Sequence, residues 1–136
     1  MLPKRIVTVG ASAGGVESLI ALVASLPADL DAAIFVVLHI PANFISTLPE
    51  ILSSKGPLQA VHPTDGDEIK RGQIYVAPPD HHLLIEANHV LVTRGPKENR
   101  NRPSVDALFR SAAYSYGPRV IGIVLSGALD DGTSGL

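Results

Sequence analysis

An α/β fold, doubly wound around a largely parallel sheet with helices on both faces and a β-hairpin insertion, is predicted by three observations. Strand-length runs recur at residues 6–9, which are β-branched, and at 33–38 and 120–125, which are continuously apolar. Such runs suit strands covered on both faces rather than half-exposed ones. Helix-period apolar stretches lie between them, and alternation of the two patterns is the signature of parallel strands joined by helical crossovers.

Each element can be justified in turn. Residues 6–9 form a short β-branched strand, and Val16, Leu19, Ile20, Val23 and Leu26 then recur at helical spacing until Pro27 stops the pattern. The second strand, 33–38, ends at His39-Ile40-Pro41, and a modest helix from about 44 to 52 closes at Lys55-Gly56-Pro57. Residues 58–61 and 74–77 read as strands separated by the turn Asp65-Gly66-Asp67. A hairpin follows, with 83–85 and 90–92 flanking Ala87-Asn88, and it leads into a polar loop, 95–102, carrying Lys97, Arg100 and Arg102. Ser104 has the character of an N-cap, with Asp106 in the first turn and Val105, Leu108, Phe109 and Ala112 on one face. Gly117-Pro118 ends that helix, and the last apolar strand runs into a small-residue turn, 126–135, that should open another helix.

Composition removes several function classes. At 136 residues and 46% hydrophobic content the chain supports one domain with one core. Its formal net charge of -2 and the lack of any long Lys/Arg run leave no footprint for a nucleic-acid backbone. The absence of cysteine rules out disulfides, thiolate catalysis and cysteine metal sites. No signal-peptide pattern or membrane-length apolar run is present, so a soluble cytoplasmic protein without membrane insertion is expected.

The most informative motif is Gly10-Ala11-Ser12-Ala13-Gly14, placed between the first strand and the first helix. It satisfies G-x-S-x-G, in which a strained turn raises a serine hydroxyl above the sheet and the following helix N-terminus faces developing negative charge. A serine nucleophile needs a base in hydrogen-bond reach and a third group that orients the base. His39 and the Asp130-Asp131 pair each follow a predicted strand, as Ser12 does, so one edge of the sheet supplies all three residue types. We read Ser12 as nucleophile, His39 as general base and Asp131 as orienter, with the Ala13 backbone N–H as an oxyanion donor. The chain order Ser, His, Asp differs from that of α/β-hydrolases.

Competing readings of the same residues are weaker. A glycine-rich turn between strand and helix also describes a dinucleotide site, but Ser12 replaces the second glycine and His39 stands where a ribose-binding acid is expected. The other histidines, His62, His81, His82 and His89, lack metal-ligand spacing, so neither metal nor cofactor is expected. His82 is the one that could line the cleft. The Lys97, Arg100 and Arg102 cluster is either a solvated loop or a surface that docks an acidic partner.

Five blocks in order carry a family resemblance: 10–15, Leu38-His39-Ile40-Pro41, 74–78, Asn101-Arg102-Pro103-Ser104-Val105-Asp106 with Leu108-Phe109, and Leu125-Ser126-Gly127 followed by Asp131-Gly132. Together they resemble the catalytic domain of the CheB family, the chemotaxis protein-glutamate methylesterases. The resemblance implies a doubly wound domain that hydrolyses glutamate γ-methyl esters on the cytoplasmic part of chemoreceptors, releasing methanol, with glutamine deamidation in some members. By position it places the family's serine, histidine and aspartate on Ser12, His39 and Asp131, and so favours Asp131 over Asp130. It further implies that residues 1–136 are a catalytic domain without a receiver domain and without the family's C-terminal portion. The expected alternative is a non-catalytic, receptor-binding or regulatory module that keeps the fold.

Overall fold

The computed structural model describes residues 2–98 and 100–126. Five parallel strands form the main sheet: β1 (Arg5–Ser12), β2 (Ala32–His39), β3 (Gln59–Val61), β4 (Gln73–Val76) and β7 (Val120–Leu125), in the spatial order β3-β4-β2-β1-β7. Strands β5 (His82–Glu86) and β6 (His89–Thr93) form the antiparallel hairpin, paired from His82–Thr93 to Glu86–His89. Helices α1 (Val16–Ala24), α2 (Ala42–Lys55) and α3 (Val105–Tyr116) complete the described elements, with short 3-10 turns at Ala13–Gly15 and Gly117–Arg119.

The reason β2 reads as one unbroken apolar run is visible in its packing. Residues 32–38 are all buried. Ala33, Phe35 and Val37 join the cluster beneath α3 and the hairpin, with Leu83, Val90 and Leu108. Ile34, Val36 and Leu38 join the cluster beneath α1 and α2, with Leu19, Val23, Leu48 and Leu52. Period-two alternation therefore fills two cores from one strand, as expected for a sheet covered on both faces. The rings of Phe35 and Tyr75 stack across β2 and β4 with centroids 4.9 Å apart.

Local signals act as the sequence predicts. Ser104 caps α3, its hydroxyl accepting the Ala107 N–H at 3.2 Å. Gly117 follows that helix at φ 53°, in the left-handed region that glycine adopts without a side-chain clash. Boundaries shift by one to three residues, mostly outward: β1 extends to Ser12 and α2 runs over Ala42–Lys55 rather than 44–52, whereas β4 ends one residue early, at Val76. Strand β7 differs in one respect from the expectation of a fully covered strand, since Ile121 and Val124 are 44% and 49% exposed. It pairs only with β1 among the described residues, and its outer edge has no described strand beside it.

The topology fixes where a site can form. From β1 the chain moves through α1 to β2 and outward to β4, then returns by α3 to the other side of β1 as β7. Strand order thus reverses at β1, and the crevice outside the carboxyl ends of such strands is where doubly wound sheets bind ligands. No helix among the described residues is long and apolar enough to cross a membrane.

Candidate active site

Ser12 is the last residue of β1 and His39 the last residue of β2, and the parallel pairing runs without a break from Arg5–Ala32 to Ser12–His39. The two expected site residues are therefore direct cross-strand partners at the carboxyl edge, on strands that neighbour each other about 4.7–4.9 Å apart. Both are exposed.

A serine immediately before a helical turn ordinarily uses its hydroxyl to cap the free N–H groups. Ser12 makes no side-chain cap hydrogen bond, and its hydroxyl has no other partner among the described residues. It stays available to a ligand. The turn is not strained: Ser12 is extended at φ -92° and ψ 176°, and the left-handed glycines of the described chain are Gly66, Gly72 and Gly117. The expectation of a strained elbow is thus corrected. Gly10 of the motif, and Gly15 just after it, serve close packing instead. A Cβ on Gly10 would lie 2.5 Å from Val105 Cγ1 at the start of α3. One on Gly15 would lie 2.5 Å from the Leu125 carbonyl oxygen at the end of β7.

His39 is held from the opposite wall. Its Nε2 lies 3.1 Å from the Pro103 carbonyl oxygen. A carbonyl can only accept, so Nε2 carries the proton in this contact and the neutral ring keeps its lone pair on Nδ1. Pro103 is a partner that sequence reasoning missed, because a backbone carbonyl leaves no residue-type signal.

Two cavities meet at Ile40 and Pro41. One, of about 430 Å³, is lined by His39, Asp80, Lys97, Arg100, Arg102 and Pro103 among others. The other, about 420 Å³, is lined by Ala13, Val16, Ile40, Pro41, Asn43 and Phe44. Ala13 thus borders an apolar recess at the helix start, while His39 borders a charged one. The charged wall is built on Asp80, whose carboxylate pairs with Arg94 at 2.6 Å and Arg102 at 2.8 Å. The Arg102 hydrogen bond, and then the nearby Arg102, Arg94 and Lys97 charges, hold the Asp80 carboxyl below the usual carboxylate range. This acid was also missed by sequence reasoning, since Pro78-Pro79-Asp80 reads as an ordinary turn.

His82 lies away from the cleft surface; it is buried, and its Nε2 donates to the Pro96 carbonyl at 2.8 Å, tethering the basic loop to β5. Asp130 and Asp131 lie outside the described residues. No cluster of metal-ligating side chains occurs among the described residues.

Comparison with known proteins decides the family. A family model for CheB methylesterase matches residues 7–136. The chain belongs to the CheB methylesterase family. It is 42% identical over 141 residues to protein-glutamate methylesterase/protein-glutamine glutaminase 2 of Methanosarcina acetivorans, covering 98% of this chain and 40% of that protein. To the protein of the same name from Rhodospirillum rubrum it is 40% identical over 137 residues, covering 98% of this chain and 38% of the relative. The chain thus spans about two fifths of the length of these CheB relatives. The crystal structure of the Thermotoga maritima CheB methylesterase catalytic domain superimposes with a TM-score of 0.87 at 36% identity, covering 98% of this chain and 73% of that one.

Proposed function

We propose that residues 1–136 belong to the catalytic domain of a serine hydrolase that removes methyl groups from glutamate γ-methyl esters of a chemoreceptor's cytoplasmic region. The observation that carries the proposal is the register pairing of Ser12 with His39 at the carboxyl edge, with the serine hydroxyl left uncapped. The names of the relatives support the reaction class, and their second activity extends the proposal to receptor glutamines.

In the proposed mechanism the Ser12 Oγ attacks the ester carbonyl while His39 Nδ1 takes the hydroxyl proton. The Pro103 carbonyl holds the Nε2 proton in place, so the lone pair is on the nitrogen that must accept. With Nδ1 facing Ser12 and Nε2 held by Pro103, Asp131 is assigned the role of stabilising the imidazolium through its charge rather than through a ring hydrogen bond of its own. Negative charge on the former carbonyl oxygen meets the Ala13 N–H at the start of the helical segment, a contribution of roughly 2.7–4 kcal/mol for a well-placed donor. Collapse of the tetrahedral intermediate returns the proton to the leaving methoxide, which departs as methanol and leaves a glutamyl ester on Ser12. Water, activated by the same histidine, hydrolyses that ester to glutamate and free serine. With a glutamine substrate the leaving group is ammonia.

The test is methanol release from a peptide containing γ-methyl glutamate. The parent protein should release methanol, and Ser12→Ala should not. Folded parent protein that releases none would instead support the non-catalytic module.

A further inference from the structure

The loop on the far side of His39 concentrates charge against the trend of the chain. Residues 94–102 hold four cations, Arg94, Lys97, Arg100 and Arg102, against the single acid Glu98, whereas the whole chain is formally -2. The acids near this loop are already engaged. Asp80 binds Arg94 and Arg102, and Glu98 binds Arg110 at 2.6 Å on α3. Arg102 is spent on the fold: its side chain is only 15% exposed, and it also donates to the Gly95 carbonyl at 3.3 Å. Lys97 and Arg100 are exposed and form no ion pair among the described residues, yet both line the cavity that His39 borders.

Hydrogen bonds fix the backbone on both sides of Arg100. Glu98 and Asn101 exchange two backbone hydrogen bonds, at 3.0 and 2.8 Å, closing a tight turn with Arg100 near its tip at φ 66°. Arg100 is one of three described non-glycine residues held at positive φ, with Asp80 and Ala87. The turn is also anchored: His82 holds the Pro96 carbonyl from below.

We propose that Lys97 and Arg100 form a carboxylate-binding subsite beside His39, which engages acidic side chains flanking the target residue on a polypeptide substrate. The inference rests on the reading of His39 as part of a catalytic site. Exposure favours a protein partner over a small anion, because two long, solvated cations on an open rim suit the surface of a docking chain better than an enclosed ligand. The consequence for selectivity is that a glutamate ester in an acidic segment binds better than the same ester in a neutral one.

The experiment is fluorescence anisotropy with two labelled peptides of equal length, one rich in glutamate and one with glutamine at the same positions. Each is titrated with the parent chain, Lys97→Gln, Arg100→Gln, the double variant, and Arg71→Gln as a distant charge control. The acidic peptide should bind the parent, each single variant should weaken it about three-fold and the double variant about ten-fold, as rim charges do. The difference should vanish in 0.5 M salt, roughly where the screening length falls to a few ångströms. Equal binding of the two peptides, no binding of the acidic peptide, or an Arg71→Gln loss as large as that of the double variant would overturn the subsite. Charge-dependent binding by protein that releases no methanol would overturn the esterase reading and leave the subsite standing. Methanol release without charge-dependent binding would do the reverse.

Discussion

Gly15→Ala is predicted to loosen the joint between the serine turn and β7. An added Cβ would meet the Leu125 carbonyl oxygen at 2.5 Å, its carbon at 2.8 Å and its Cβ at 3.1 Å. Ordinary contact begins near 3.4 Å, so backbone must separate by about 0.9 Å, and neither partner is a flexible side-chain end that could swing away. Overpacking of this kind costs roughly 1–3 kcal/mol. Alanine tolerates the native φ of -90°, so its lower unfolded-state entropy returns about 0.4–1 kcal/mol. A net loss of about 1–2 kcal/mol remains, equivalent to a Tm drop of roughly 4–8 °C for a domain of this size. Because the shift falls three residues from Ser12, ester turnover should fall as well, by up to about 10²-fold for a displacement near 1 Å. The control is Gly122→Ala on β7, where the new Cβ lies 3.6 Å from Phe109 and 3.7 Å from the Thr8 hydroxyl, both ordinary contacts. Thermal melts and initial rates on the three proteins decide the matter. A Gly15→Ala protein that melts with the parent would refute the packing role assigned to this glycine.

Three further predictions concern the reaction, the charged wall and the core. His39→Gln should lower turnover by about 10⁴-fold or more while the melting curve stays close to the parent's, because the ring is exposed and its loss removes the proposed proton acceptor; steady-state rates with matched melts check this. Since Arg102 and its neighbours depress the Asp80 pKa in the folded state, the stability it contributes is complete above the unfolded carboxylate value of about 3.9 and is lost as pH falls through the lower folded one. Melts across that acid range should therefore fall more steeply for the parent than for Asp80→Asn, with salt narrowing the difference. Leu108→Ala removes a side chain with no exposed surface between α3 and the sheet, and urea unfolding should show a loss of about 2–5 kcal/mol.

Much of the fold was legible because its signals are local or periodic. The two-faced burial of β2 follows from the run Ala33 to Leu38, and the cap of α3 follows from Ser104 before an apolar helical face. Hairpin β5–β6 was announced by two short apolar runs, 83–85 and 90–92, on either side of Ala87-Asn88. Exposure along β7 was not legible, because an apolar run of six residues does not say what covers it. At the site, residue type and strand-end position brought Ser12 and His39 together, and the pairing register places them side by side. The glycines were visible but their reason was not. Gly10 read locally as part of a strained turn and Gly15 as no more than its neighbour, whereas the demand on them comes from Val105 and Leu125, distant in sequence. Pro103 and Asp80 escaped notice for the same reason, since a carbonyl contact and a shared ion pair exist only once the chain has folded.

The central claim is that Ser12 is an activated nucleophile served by His39. The most direct measurement is reaction with a fluorophosphonate probe, the adduct located by mass spectrometry in the parent and in His39→Gln. A stoichiometric adduct on Ser12 in the parent, formed far more slowly in His39→Gln, is the predicted result. A folded parent protein that stays unlabelled, or labels at the same rate without His39, would contradict it.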